Sequence, residues 1–294
     1  MLRSEPITGG QMSSNTYAEP LAGTEKYIDR PDGTRLRTVS VGSGDRTAVL
    51  THGYGFSADE WNLIAPNLVA EGLRVVAFDH RGHGGSTIGS DGIDSSQMAS
   101  DYGAVLDSYD LDDAVLVGHS MGGFLALTFL LDDDSEAAGR VGRLLLMATF
   151  AGDVSRKNPQ NRLQIPLIKT GILQRFLGLD PVAKAFTKSL VGDGFEPEMT
   201  DALVPMFLRA DHEHLVPILS AMVEENRYMR LGEIDLPCTI VIGTKDKTTP
   251  PFHTADLHAG IAGSKLVSLP GMGHALNWEA PDAIVNEIVE LARA

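Results

Sequence analysis

Three separated residues of this sequence have the types and order needed to activate a nucleophile. Residues 115–127 read VLVGHSMGGFLAL, with Ser120 between Gly118 and Gly122. A serine hydroxyl attacks a carbonyl only when a base takes its proton, a third group orients that base, and donors await the oxyanion. Gly-X-Ser-X-Gly forces the serine into a strained strand-to-helix turn, the glycines removing side chains that would clash. A bare tight turn would use the same glycines, so the flanks matter: an apolar β-branched run precedes Ser120 and FLALTFLL, at helical spacing, follows it. The amide of Met121, at the helix start, is then the first expected oxyanion donor. In such a winding an aspartate and a histidine follow in that order. Asp246 closes the run TIVIGTKDKTTP in a polar loop, and His274 lies in the glycine-rich LPGMGHALNWEAP before the final helix. Alone, Asp246 reads equally as a solvated loop carboxylate and His274 as a neighbour of a helix N-terminus; their order and context join them to Ser120. The second oxyanion donor is expected in THGYGFSADEW, from the amide of Tyr54 in preference to that of Phe56.

Other polar residues read as structural. His119 and His83 are expected to hold loops by hydrogen bonds, and Asp79 and Arg81 to pin the turn after their strand. His212 and His214 in DHEH stand two apart, which does not face one ion from a helix, and no second cluster completes a metal site. No phosphate-binding glycine motif follows the first strand. Neither a cofactor nor a metal is expected.

These residues need a scaffold that brings three distant loops to one edge. The runs TAVLTHG, LRVVAFDHRGHGGS, DAVLVGHS, RLLLMATF and CTIVIGTKD are apolar on both faces and alternate with helical segments. That pattern predicts an α/β fold, a mostly parallel sheet with helices on both faces. KYIDRPDGTRLRTVSV alternates around Pro31-Asp32-Gly33 and predicts an opening antiparallel hairpin. Between Phe150 and about Met229 the strand pattern gives way to helical spacing broken by Pro and Gly, which predicts a helical cap, or lid, over residues 151–230. The sheet core then comprises residues 23–150 and 231–294, with SKLVSLP as last strand and APDAIVNEIVELARA as closing amphipathic helix; residues 1–22 read as a flexible tail. Gly152, Gly171, Gly178 and Gly192 are hinges or helix ends.

With 43 % hydrophobic residues, the 294-residue chain can bury one large core or one core with an insertion. Its 24 basic against 39 acidic residues leave a formal charge of -15, which repels nucleic acid and anionic lipid. The single cysteine, Cys238, fits packing as a small hydrophobe in a reducing, cytoplasmic compartment. No apolar leader and no membrane-spanning run is expected.

Through HGYG, DHRGHGGS, GHSMGG, GTKD and GMGH, from about Tyr27 onward, the sequence resembles the α/β-hydrolase superfamily, in its capped esterase, haloperoxidase-like and epoxide-hydrolase-like branch. The resemblance implies an eight-stranded sheet, a helical lid after the sixth strand, no metal, and triad roles for Ser120, Asp246 and His274. Two departures stand out. Gly55 occupies a position where the family often has proline, freeing that loop backbone; and a serine stands at the elbow where epoxide hydrolases and dehalogenases carry aspartate. The expected activity is hydrolysis of a carboxylic ester with an apolar acyl or aryl group. Leu167, Ile172, Phe176, Phe186, Met206, Phe207, Ile218 and Met222 form the cap's apolar face, about a third of them expected in the pocket and the rest sealing cap to sheet, with Phe176, Met206, Phe207 and Met222 as the foremost candidates. No cluster of cap arginines announces a dicarboxylate or phosphate substrate, although Arg162, Arg175 and Arg209 leave one open. In related families the same triad hydrolyses carbon–carbon bonds or forms peracids, and acyl transfer or a slow, receptor-like role completes the alternatives.

Overall fold

A strand that is apolar on both faces must be covered twice, because successive side chains point to opposite sides. The computed structural model describes residues 16–132 and 136–294. The strands β1 (Thr24–Asp29), β2 (Arg35–Val41), β3 (Thr47–Thr51), β4 (Arg74–Phe78), β5 (Ala114–His119), β6 (Val141–Met147), β7 (Cys238–Gly243) and β8 (Lys265–Leu269) form one eight-stranded sheet, in the order β1-β2-β4-β3-β5-β6-β7-β8. From β4 to β8 the neighbours are parallel; β1 and β2 form the expected antiparallel hairpin, and β2 joins β4 antiparallel.

The helices are α1 (Ala65–Ala70), α2 (Ser95–Ser108), α3 (Met121–Asp132), α4 (Pro159–Lys169), α5 (Ile172–Phe176), α6 (Asp180–Leu190), α7 (Pro197–Arg209), α8 (Val216–Glu224), α9 (Pro251–Gly260), α10 (Leu276–Glu279) and α11 (Pro281–Arg293). Strand alternation sorts the interior into two cores. Leu50, Val75, Val115, Val117 and Val241 pack with α1 and α11 on one side of the sheet. Val49, Val76, Leu116, Leu144 and Ile240 pack with α2 and α3 on the other. In α11 the buried residues Ile284, Val285, Ile288, Val289 and Leu291 recur at helical spacing, and Pro281 occupies its first turn, where a missing N–H costs nothing.

Helices α4 to α8 are inserted between β6 and β7, and the insert's two ends run side by side. Gly152 bridges Asn226, the Arg227 amide donates to the Ala151 carbonyl (2.7 Å), and the Asp153 amide donates to that of Glu225 (3.0 Å). Gly152 adopts φ +125°, and a Cβ there would meet the Glu225 carbonyl oxygen at 2.0 Å, so this glycine serves a close backbone crossing and not a hinge.

The expected tail is corrected in part. Residues 1–15 lie outside the described residues, but the chain is packed from Thr16 onward: Leu21 is buried, its amide bonds Asp59 (3.1 Å), and Tyr17 lies against Trp278. Cys238 is buried at the start of β7, where desolvation pushes its thiol up to about 12.

Candidate functional site

Ser120 stands between β5 and α3 with φ +52°, a left-handed conformation a non-glycine residue adopts only when its surroundings impose it. Here the Ser120 amide donates to the Met147 carbonyl (3.0 Å), while the Ser120 carbonyl accepts from the Gly123 and Phe124 amides and the Thr149 hydroxyl. The crossing is tight enough that a Cβ on Gly118 would lie 2.5 Å from the Gly123 Cα.

The loops after β7 and β8 deliver the partners. His274 Nε2 lies 3.0 Å from Ser120 Oγ, and His274 Nδ1 lies 2.8 Å from Asp246 Oδ2. A carboxylate only accepts, so Nδ1 carries the proton and Nε2 is left to accept from the serine. Asp246 is buried, and its charge is met by the Thr248 and Thr249 amides and the Thr249 hydroxyl, each at 2.8 Å. This turn, in which an aspartate binds the backbone two and three residues on, was readable in Asp246-Lys247-Thr248-Thr249 but is absent from the sequence reading. The His274 amide donates to the Leu190 carbonyl at the end of α6 (2.6 Å), so the insert also holds the histidine loop.

Facing this pair, residues 53–56 form a turn closed by the Phe56 amide on the Gly53 carbonyl (3.2 Å), with Gly55 at φ +78°. That conformation is closed to proline and suits glycine at the third position of a type II turn. The expectation of a freer loop is therefore corrected: Gly55 selects a different, hydrogen-bonded turn, and a Cβ there would meet the Phe207 ring at 2.5 Å. The Phe56 amide is consumed by the turn. The Tyr54 amide, one position along, and that of Met121, the first residue of α3, are not claimed by such turn or helix geometry.

Ser120 and His274 open onto a cavity roofed by the inserted helices. Its apolar wall includes Phe150, Ile165, Ile168, Phe186, Phe207 and Met222, with Tyr54, Asn161, Gln164 and Thr248 as its polar residues besides the pair itself. Asn161 spends its amide hydrogens on the Val154 and Thr248 carbonyls, both at 2.8 Å. No Lys, Arg, Asp or Glu lines the cavity among the described residues. Of the four foremost pocket candidates, Phe207 and Met222 line it. Phe176 does not, lying 48 % exposed on the five-residue α5, and Met206 is buried outside the cavity lining. Ile168 and Phe150 were missed as lining. Arg162, Arg175 and Arg209 also stand outside it.

Asp79 and Arg81 hold the turn after β4, as expected, and His83 Nδ1 lies 3.2 Å from the Arg81 carbonyl oxygen. Asp79 accepts from the Ala58 and Gly85 amides (2.6 and 2.7 Å), and Arg81 forks onto Asp101 (2.8 Å to each oxygen). His212 bonds the Tyr54 hydroxyl (3.1 Å) and the Phe207 carbonyl (2.7 Å), whereas His214 is exposed and pairs with Asp211.

A family model described as "Alpha/beta hydrolase family" matches residues 48–287. A 2-hydroxy-6-oxononadienedioate/2-hydroxy-6-oxononatrienedioate hydrolase from Klebsiella pneumoniae is 31 % identical, the match covering 93 % of this chain and 97 % of the relative. Among solved structures, a bromoperoxidase from Bacillus anthracis superposes with TM-score 0.80 at 21 % identity, over 92 % of this chain and 100 % of that one. An esterase from Exiguobacterium antarcticum does so with TM-score 0.79 at 23 % identity, over 93 % and 100 %. At those identities the structural likeness speaks for the fold alone.

Proposed function

This chain belongs to the alpha/beta hydrolase family, and from that premise we propose that it is a serine hydrolase cleaving a carboxylic ester whose acyl or aryl group is apolar and uncharged. The observation that carries the proposal is the bonded series Asp246–His274–Ser120, at 2.8 and 3.0 Å, opening onto a cavity with no charged wall residue among the described residues. In this reading His274 takes the Ser120 proton as Oγ attacks the carbonyl carbon. The Met121 and Tyr54 amides receive the oxyanion, and each is worth roughly 3 kcal/mol in the transition state. Collapse expels the alcohol, protonated by His274, and water attacks the acyl-enzyme by the same path. Asp246 fixes the imidazole tautomer and stabilises the imidazolium. Residues 151–230 act as the cap that shapes the acyl site.

A second reading has a specific observation behind it. The curated relative's named substrate, a hydroxy-oxo-dienedioate, contains no ester, so its hydrolysis must break a carbon–carbon bond beside a ketone. The relatives' names therefore support carbon–carbon hydrolysis more directly than ester cleavage. Against it, a dioate brings two carboxylates, and burying them without a cation is costly, whereas no cation lines this cavity among the described residues. Turnover of p-nitrophenyl esters of graded acyl length, beside bleaching of a 2-hydroxy-6-oxo-dienedioate, separates the two. Ester turnover with the dienedioate unbleached supports the proposal; faster cleavage of the dienedioate replaces it with the second reading.

A further inference from the structure

Behind the triad, away from the substrate cavity, two buried titratable side chains are left without a part in the chemistry. Glu60, in the short 3-10 turn Ala58–Trp61 that follows the Tyr54 loop, places Oε1 2.9 Å from His119 Nδ1. His119, the residue before Ser120, places Nε2 3.1 Å from the main-chain carbonyl oxygen of His274. Both side chains are 2 % exposed. The circuit closes through Asn277 in α10, whose amide nitrogen donates to the Glu60 carbonyl at 2.7 Å. One hydrogen-bonded chain thus joins the loop carrying the Tyr54 amide, the elbow carrying Ser120 and the loop carrying His274.

Hydrogen-bonding capacity fixes most of the protons. A carbonyl oxygen only accepts, so His119 Nε2 must carry a hydrogen. Nδ1 and Glu60 Oε1, at 2.9 Å, then share a single proton, sited on either atom. Burial opposes a charged His119, yet the Glu60 carboxylate and the bonds to Glu60 and His274 lift it above the ordinary imidazole value. Glu60 thereby holds the ring, and the ring holds the His274 backbone.

We propose that Glu60 and His119 are positioning residues: a buried strut that sets His274 against Ser120 from behind through its main-chain carbonyl. The proposal rests on the serine-hydrolase reading. Displacement of a catalytic base by a fraction of an ångström weakens proton transfer far more than substrate binding, since neither residue lines the cavity. His119→Phe keeps a ring but donates nothing. Glu60→Met keeps the volume and loses the bond to Nδ1, whereas Glu60→Gln can donate its amide to Nδ1 and keep the ring in place.

The test measures kcat, KM and the rate of fluorophosphonate labelling for the wild type and these three variants, with thermal melting alongside. The strut requires kcat and labelling to fall together by roughly 10- to 100-fold in His119→Phe and Glu60→Met, with KM within about twofold, and Glu60→Gln to restore most of the loss. If His119→Phe does not fold, the isosteric Met and Gln pair decides. Equal kcat in Glu60→Met and Glu60→Gln, or wild-type kcat in a folded His119→Phe, overturns the strut while leaving the serine-hydrolase reading intact. A wild type that neither labels nor turns over any substrate overturns that reading and the strut with it.

Discussion

Asp246 receives three donors besides His274, which places its charge before the histidine needs it. Asp246→Asn is therefore expected to leave the turn folded but to offer an amide where a carboxylate held the Nδ1 proton, lowering kcat about 10⁴-fold in a steady-state assay. Tyr54→Phe is expected to keep kcat within about threefold, because the proposed donor is its amide. Gly55→Ala is expected to lower kcat more than Tyr54→Phe does, since it strains φ +78° and drives a methyl into the Phe207 ring. The bonded series Asp246–His274–Ser120 was legible because each member sits in a short motif at a strand end, a constraint written in consecutive residues. Glu60 was not: in FSADEW it is indistinguishable from any acidic residue in a helical first turn, and its partners lie 59 residues away at His119 and beyond.

The elements divide in the same way. Strands β3 to β7 were readable because burial on both faces leaves continuous apolar runs, and the opening hairpin because Gly33 takes φ +86° at the turn. The inserted helices were readable as helices, yet not by face. Helices α4, α6, α7 and α8 pack both onto their neighbours and over the cavity while α5 contributes no lining residue, so apolar spacing does not separate Ile168, which lines the cavity, from Phe176, which faces solvent. Ile168→Trp, filling that wall, is expected to cut kcat/KM for long acyl esters at least tenfold while sparing acetate, as read from a chain-length series. The junction between the insert and the histidine loop is fixed at Gly192, where a Cβ would meet the Gly271 carbonyl oxygen at 2.1 Å and the amide bonds Glu279 (2.7 Å). Glu279 also accepts from the Gly273 amide (2.9 Å), tying the insert to the residue before His274. The hinge alternative for Gly192 thus gives way to an anchor.

Across the whole molecule, stability is tied to buried neutral histidines. Burial, reinforced by neighbouring rings, holds His52 and His80 well below the ordinary imidazole range, and burial takes His83 down to about 3 and His253 to about 4. The unfolded chain binds protons near pH 6.5 that the folded one refuses, so this contribution is complete above that pH and is lost as pH falls toward 4 and 3. His119 and His214 are raised and act in the opposite sense, with stability that is lost as pH rises through their folded values, but they are fewer. The raised buried carboxyls of Asp79, Asp101 and Glu279 act in that opposite sense too; the melting temperature is expected to fall from pH 7 to pH 4.5 in scanning calorimetry if the lowered histidines outweigh these groups, and a flat or rising profile there would show that they do not. The formal charge of -15, by contrast, bears on solubility and partners and says nothing of which bond is cleaved. That claim narrows to one atom, Ser120 Oγ, and one measurement tests it most directly: intact mass after exposure to a fluorophosphonate, for the wild type, Ser120→Ala and His274→Ala. A serine nucleophile at this position gives a single adduct mapped to Ser120 in the wild type, none in Ser120→Ala, and labelling slowed at least ~10³-fold in His274→Ala. An unlabelled wild type, or an adduct that persists in Ser120→Ala, would contradict it.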